Sequence, residues 1–504
     1  MAARIRTLAI GAVLAASVAA VYVTRLQFAP IYLMHDESQF ALQAEAIAST
    51  GRDLIGRRLP LYFTEPEFPA GRDPAIIYAT ALVLKVLPLS ESSVRLATSL
   101  VGVLNIVLMF LVARRLLASD LLGVVAALLL AFTPAHFIRS RLVLSPFYSI
   151  PFILAWLLWL ARFVDTPERR TLVVAAAWLG LGLYTYLGCT VMMPVYLLLT
   201  AWVAWRRSAR GWGVALLAGF LVPLVPMAAW SVMHPERYGQ IVEAYQLYSV
   251  ADTVRLRLHL YWSFFSPDFL FITGETSLIN STRQAGFFPM AFAILIPVGI
   301  YRLARSGGDI GKVILAGFLT APLASVVSGA LEMNRIMFAI PFGALTAAYG
   351  AQALIGSARP ISRAGAAILL VSCALQFSGF YVDYMGRYRV ASAEWFGGDI
   401  RSAIAEAIER GGDDGRIHLS RSIPFIRRYW RFYALAANRR DLLGRETFFE
   451  WPELDSPAVP AGAVLVCPAA EPACASLASD PSWTLVRSVV EPGGSPTFSV
   501  FEKH

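Results

Sequence analysis

The sequence predicts an all-α polytopic membrane protein of about eleven transmembrane helices, with outer juxtamembrane helices and a small C-terminal α/β domain. Three observations predict it. Of 504 residues, 57% are hydrophobic and 15% charged, with a mean hydropathy of +0.59, which no soluble domain of this size tolerates. Apolar runs matched to a ~30 Å hydrocarbon core recur between clusters of arginine. After Tyr381 the chain turns polar and breaks into short strand-like stretches. The net charge of +9 lies between the apolar runs, so the expected partner is the bilayer and not a nucleic acid. Of 43 basic residues only Lys85, Lys312 and Lys503 are lysines, an arginine bias that points to a G+C-rich bacterium and hence to its inner membrane.

The first span is about Leu8 to Val23, behind Arg4 and Arg6. Its small residues also suit a signal peptide; the many spans that follow favour an uncleaved anchor. Basic residues stay inside, so Arg4 and Arg6 face the cytoplasm and the loop Arg25 to Ser93 faces out. Within that loop Glu37–Thr50 reads as a helix too short and too polar to cross. A second apolar piece runs from Pro74 to Leu89, with Asp73 as its cap and Pro74 at a first helical position. It reaches roughly 22–24 Å, short of the ~30 Å core, and is read as lying on the outer face. Charge supports this. With 74–89 outside, Arg114/Arg115, Arg162/Arg169/Arg170, Arg206/Arg207/Arg210, Arg302/Arg305/Lys312 and Arg359/Arg363 all fall in the cytoplasm.

The later spans are about 94–112, 120–138, 143–162, 171–187, 189–205, 212–232, 286–303, 312–330, 335–356 and 363–381. The uncharged run Thr171–Trp205 is too long for one helix and is expected to fold back near Tyr186-Leu187-Gly188. A transmembrane domain over 1–381 thus carries two large outer loops, 25–93 and 233–285. Residues 382–504 form the outer α/β domain, with strands near Arg416–Ser420, Ala463–Cys467, Trp483–Val490 and Thr497–Phe501, and a helix near Ile400–Arg410. Its Cys467 and Cys474 flank a short loop, either paired in an oxidising compartment or free. The stretch from Ile423 to Tyr433 mixes arginine with aromatics and reads as a headgroup-facing segment or a basic strand.

Candidate chemistry begins at Met34-His35-Asp36-Glu37-Ser38-Gln39, just past the first span. Two adjacent carboxylates there have two readings. Asp36 is an N-cap, with Asp36-x-x-Gln39 as a capping box; or Asp36 is a general base at the mouth of a membrane-embedded cavity. His35 beside two acids is not a metal ligand set, and the cysteines have no metal-site spacing.

Several segments in order carry a resemblance. His35-Asp36-Glu37, Thr50-Gly51-Arg52-Asp53, Leu59-Pro60-Leu61, Ser92-Ser93-Val94-Arg95-Leu96, Ser140-Arg141, Gly182–Tyr186, Ser263–Phe271 and Asn334-Arg335 span roughly residues 30–350. Together they resemble membrane glycosyltransferases of the GT-C class. Within that class the segments resemble the protein O-mannosyltransferase, aminoarabinose-transferase and lipid A galacturonosyltransferase groups. Two departures stand out. Arg72-Asp73-Pro74 replaces a family Lys-Pro-Pro or His-Pro-Pro, and Ser145 stands where some relatives carry an acid. No cofactor is assigned, and a divalent metal stays open.

The resemblance implies a polyprenyl-phosphate sugar donor and a hydroxyl acceptor outside the cytoplasm, on lipid A, polysaccharide or protein. Transfer with inversion needs a carboxylate to take the acceptor's proton and cations to hold the departing phosphate. Asp36 fits the first need, with Glu37 orienting it. For the second, Arg335, Arg283, Arg72 and Arg141 (or Arg139) fall on the outer side; arginines that merely snorkel to lipid phosphates are the plainer reading. Asp268 reads as a turn former, and its aromatic neighbours as an interfacial belt. Two non-glycosyltransferase readings remain. One is a multi-pass lipid or solute transporter without covalent chemistry, disfavoured because charges collect in loops and no internal repeat is evident; the other is a membrane scaffold.

Overall fold

Apolar runs become helices because lipid offers the backbone no hydrogen-bond partner other than itself. The computed structural model describes residues 2–64, 73–207, 212–235, 254–328, 332–411, 416–454 and 458–504. The chain divides into two compact units. One comprises Met1–Thr24, Gly51–Ala79 and Arg95–Val382; the other comprises Arg25–Thr50, Thr80–Val94 and Asp383–His504.

The helices of the first part are α1 (Ala2–Tyr22), α2 (His35–Thr50), α3 (Pro74–Leu84), α4 (Glu91–Leu116), α5 (Asp120–Ala131), α6 (Pro134–Ser140), α7 (Ile150–Asp165), α8 (Arg169–Gly182), α9 (Cys189–Arg206), α10 (Trp212–Leu221) and α11 (Val225–Met233). There follow α12 (Val254–Ser263), α13 (Phe292–Ser306), α14 (Gly308–Thr320), α15 (Leu323–Ser328), α16 (Ala339–Ile355) and α17 (Pro360–Asp383). Every expected span coincides with a helical stretch. Among the described residues, 7 are long and apolar enough to cross a membrane, or 8 if α5 and α6, bent by 67° at Pro134, count as one. The expected spans at 171–187, 286–303 and 335–356 are the shorter helices α8, α13 and α16, of 14, 15 and 17 residues. The fold-back between α8 and α9 falls where expected, around Tyr186-Leu187-Gly188.

Ion pairs fix which span ends share a side. Arg6 at the start of α1 and Arg114 at the end of α4 both pair with Asp120. Arg115 pairs with Asp165 at 2.6 Å, and Arg206 with Asp309 at 3.0 Å. Were α3 a crossing helix, the ends of α1 and α4 would lie on opposite sides and could not share Asp120. At 11 residues, α3 is also only about 16 Å long, half the ~30 Å core.

Glycines let helices touch backbone to backbone. A Cβ on Gly299 of α13 would meet the Thr346 carbonyl at 1.9 Å, and one on Gly350 of α16 the Leu295 carbonyl at 2.1 Å. Such close approach supplies much of the packing energy where lipid removes the hydrophobic drive. Gly299→Val is therefore expected to force α13 from α16 and lower the melting temperature by several degrees. An unchanged thermal transition in detergent would show that the contact is not needed.

In the second unit, β1 (Ile417–Ser420), β2 (Thr447–Phe449), β3 (Val464–Pro468), β4 (Trp483–Val490) and β5 (Pro496–Lys503) form one sheet in the order β2-β1-β3-β5-β4. The pairs β1–β2 and β1–β3 are parallel, and β3–β5 and β4–β5 antiparallel. Helix α18 (Ile400–Arg410) packs on the sheet, and Asp399 caps it, accepting from the Ser402 N–H at 3.1 Å. Cys467 and Cys474 are joined in a disulfide inside a core with Leu465, Trp483 and Phe501. The arginine–aromatic stretch is not a strand. It forms α19 (Ile426–Ala436), because Ile426, Tyr429, Trp430 and Tyr433 recur at helical spacing and are buried, leaving Arg427 and Arg431 exposed.

Candidate active site

In the second unit, helix α2 starts at His35, two residues earlier than a capping Asp36 requires. Asp36 and Glu37 both sit in its first turn, where the helix dipole favours negative charge. Glu37 is fully buried, and its Oε2 accepts the Met34 N–H at 3.0 Å. That is the glutamate half of a capping box, shifted by two residues from the expected Asp36–Gln39 pair. Met34–Glu37 has the same spacing as Asp36–Gln39, and burial of Glu37 decides between them. Asp36 is not the cap. Gly51, at φ +71°, ends the helix in the left-handed conformation.

Around the acids lies α19. The His35 ring stacks on Phe425 at 4.2 Å between centroids, and its Nε2 is 3.9 Å from Asp36 Oδ1. Asp36 keeps about a quarter of its side chain exposed, at 26%. Tyr429 is buried; burial first, then the Glu37 and Asp36 carboxylates, push its phenol pKa well up, so it stays an O–H donor.

The arginines belong to the first unit. Arg335 lies in the tight turn Met333–Ile336, 15% exposed, with its Nε 3.2 Å from Glu332 Oε2. Its charge, with those of Asp73 and Glu332, acts on the phenol of Tyr186. Asp73 directly precedes α3, and the Ala75 N–H donates to the Tyr184 carbonyl at 3.1 Å, tying α3 to the α8–α9 turn. Arg335, Glu332, Asp73 and Tyr186 thus share one neighbourhood. Gly188 belongs to the same turn, since a Cβ there would strike the Tyr186 ring at 2.4 Å.

A second polar chain adjoins that turn, and sequence reasoning missed it. Buried Arg139 donates to Asn280 Oδ1, Asn280 Nδ2 donates to Glu275 Oε1, and the Met333 N–H donates to Glu275 Oε2 at 2.6 Å. Burial raises the Glu275 pKa against these hydrogen bonds and the Arg139 charge. Asn280 is near Glu275 in sequence, but nothing local marks the pair, because Met333 and Arg139, which complete the chain, lie far along the sequence.

The other candidates bind backbone or serve turns. Arg141 is buried, and its Nη1 donates to the carbonyls of Tyr22 at 2.9 Å and Thr24 at 3.0 Å, at the C-terminal end of α1. Arg283 is exposed, with its Nε on the Thr276 carbonyl. Arg72 lies outside the described residues. Asp53 serves a turn, accepting from Arg57 Nε at 2.7 Å and from the Arg57 N–H at 2.7 Å. Asp268 likewise accepts from the Thr273 hydroxyl at 2.8 Å. Among the described residues no group of three or more His, Cys, Asp or Glu side chains could hold a metal ion.

Residues 69–230 match the family model described as dolichyl-phosphate-mannose-protein mannosyltransferase. No curated protein sequence is significantly similar to the chain. Among solved structures it is similar to ArnT from Cupriavidus metallidurans bound to undecaprenyl phosphate, at 16% identity and TM-score 0.65 over 97% of both chains. The apo state of that protein matches at 17% identity and TM-score 0.60, again over 97% of both. The oligosaccharyltransferase AglB from Archaeoglobus fulgidus, in complex with an inhibitory peptide and a dolichol-phosphate, matches at 13% identity and TM-score 0.50, over 85% of this chain and 63% of that one. Over nearly its whole length the chain has the fold of those ArnT structures.

Proposed function

We propose that this protein transfers a sugar from a polyprenyl-phosphate donor to a hydroxyl of an acceptor outside the cytoplasm, with inversion at the sugar. The acceptor O–H gives its proton to Asp36. The acceptor oxygen bonds to the anomeric carbon as the bond from that carbon to the phosphate oxygen breaks, and the electron pair leaves on polyprenyl phosphate. Arg335 stabilises the departing phosphate, where charge develops. Glu332 neutralises part of Arg335, so a bound phosphate competes with that carboxylate. Glu37, anchored on the Met34 N–H, holds the head of α2 and orients Asp36 or the acceptor.

The reading is carried by one coincidence: an ArnT-like fold, and a carboxylate opening α2 that leaves the capping to its neighbour. The test is incubation with a labelled sugar on undecaprenyl phosphate and an envelope extract as acceptor. Label must pass to the extract; label that stays on the lipid contradicts the reading.

The site is placed on the outer face of a bacterial inner membrane. The arginine distribution supports this, and so does the Cys467–Cys474 disulfide, since such bonds persist in oxidising compartments. A cysteine at Ser90, or at exposed Ser476, is expected to react with a membrane-impermeant reagent in spheroplasts. Background is low because the two free cysteines, Cys189 and Cys373, are buried. Protection of both positions until permeabilisation would reverse the orientation.

A further inference from the structure

The second unit holds a pocket of about 590 Å³ whose lining includes Arg25, Phe28, Tyr32, Arg389, Asp399 and Arg401. Three of its lining residues are arginines and one, Asp399, is a carboxylate. Arg25 and Arg389 both lie over the Phe28 ring, 5.5 and 4.1 Å from its centroid, and Arg401 lies 5.9 Å from that of Tyr32. The lining has one carboxylate, Asp399, and both its oxygens are taken by the Ser402 N–H at 3.1 Å and hydroxyl at 2.6 Å. Glu491, behind it, accepts from the Asp399 N–H at 2.8 Å and the Thr497 hydroxyl at 2.9 Å. Arg401 leans on Glu91 at 3.3 Å, which also holds the Tyr433 hydroxyl at 2.8 Å.

Arg389 differs from the other two. It makes no ion pair among the described residues, and its Nε is buried without a hydrogen-bond acceptor. A buried guanidinium N–H left unmet is costly and rare. Three guanidiniums around one wet cavity repel each other, and an anion with several acceptor oxygens answers both problems. Position narrows the ligand. Arg25 follows shortly on α1, and Arg389 lies in the last turn of a helical stretch, Pro360–Ala391, of 32 residues. At ~1.5 Å per residue that stretch outruns a ~30 Å core, so its last turns stand at headgroup level.

We propose that this pocket binds a phosphate ester at the membrane surface, through Arg389 with Arg25 and Arg401. These are not the arginines assigned to the donor, and the proposal does not rest on the transfer reaction. A lipid headgroup and a soluble phosphate ester share this chemistry, and two arms separate them. In the first, the full-length protein is placed in phosphatidylcholine nanodiscs with or without phosphatidylglycerol, and retained lipid is counted by native mass spectrometry. In the second, glycerol 3-phosphate is titrated as a competitor. Arg389→Met keeps the stacking on Phe28 without the charge, and Arg389→Lys keeps the charge. Melting in phosphatidylcholine alone checks that each is folded, with Arg25→Met as the substitute should one fail.

Wild type is expected to retain phosphatidylglycerol, and Arg389→Met to retain about tenfold less. Arg389→Lys should fall between. Displacement by glycerol 3-phosphate assigns a site that reads the phosphate alone. Arg389-dependent retention without displacement assigns a lipid headgroup held also by its chains. Equal retention by wild type and Arg389→Met, or no binding of either probe to wild type, overturns the proposal.

Discussion

Asp36→Asn is expected to abolish sugar transfer, by roughly 10²-fold or more, while the protein still inserts and folds. The substitution keeps size and shape but removes a usable base. Its force comes from the geometry of α2. Had Asp36 been the N-cap, asparagine would serve as well and the change would be nearly silent. The cap falls instead on Met34, with Glu37 answering its N–H, so helix loss cannot mimic catalytic loss. His35 stays stacked on Phe425 in either case. Turnover and thermal denaturation measured together decide it, with donor binding retained as a control. Near-normal turnover would move the base to Glu37 or Asp73.

Arg335→Ala should weaken donor binding about tenfold or more while leaving stability almost unchanged. The stability half follows from the pair it breaks. Glu332 is 46% exposed, and so open a partner is screened by water and worth little. The binding half follows from what remains. Without Arg335 the neighbourhood keeps the carboxylates of Glu332 and Asp73, which repel a phosphate. Titration with undecaprenyl phosphate reads the change, and an unaltered affinity would remove Arg335 from the donor site. Glu332→Gln makes the opposite prediction, tighter binding, because it removes a carboxylate that competes with phosphate for the guanidinium.

What could be read from the sequence was whatever depends on composition, period and charge sign. The arginine clusters gave the sidedness that the shared Asp120 pairs then matched. The polar helix after the first span and four of the five strands followed from length and alternation. Three residues of β2 are too few to alternate. Capping register was ambiguous at Met34–Glu37 because two box spacings overlap and only burial separates them. Helix α19 was misread as a strand alternative because its arginines mask a 3.6-residue period. The chain Arg139–Asn280–Glu275–Met333 was invisible, since its links join positions up to 141 apart. The resemblance covered the expected order of motifs, and Asp268 builds the turn read for it, yet Asp53 also serves a turn and Arg141 binds the end of α1.

Covalent transfer itself is tested most directly by a donor labelled twice, once in the sugar and once in the prenyl phosphate, presented in proteoliposomes with an envelope acceptor. The account predicts that the labels part: sugar appears on the acceptor, prenyl phosphate stays in the lipid phase, and Asp36→Asn stops the separation without releasing the donor. Labels that cross the bilayer together, with the bond between them intact and Asp36→Asn without effect, would contradict it and identify a transporter.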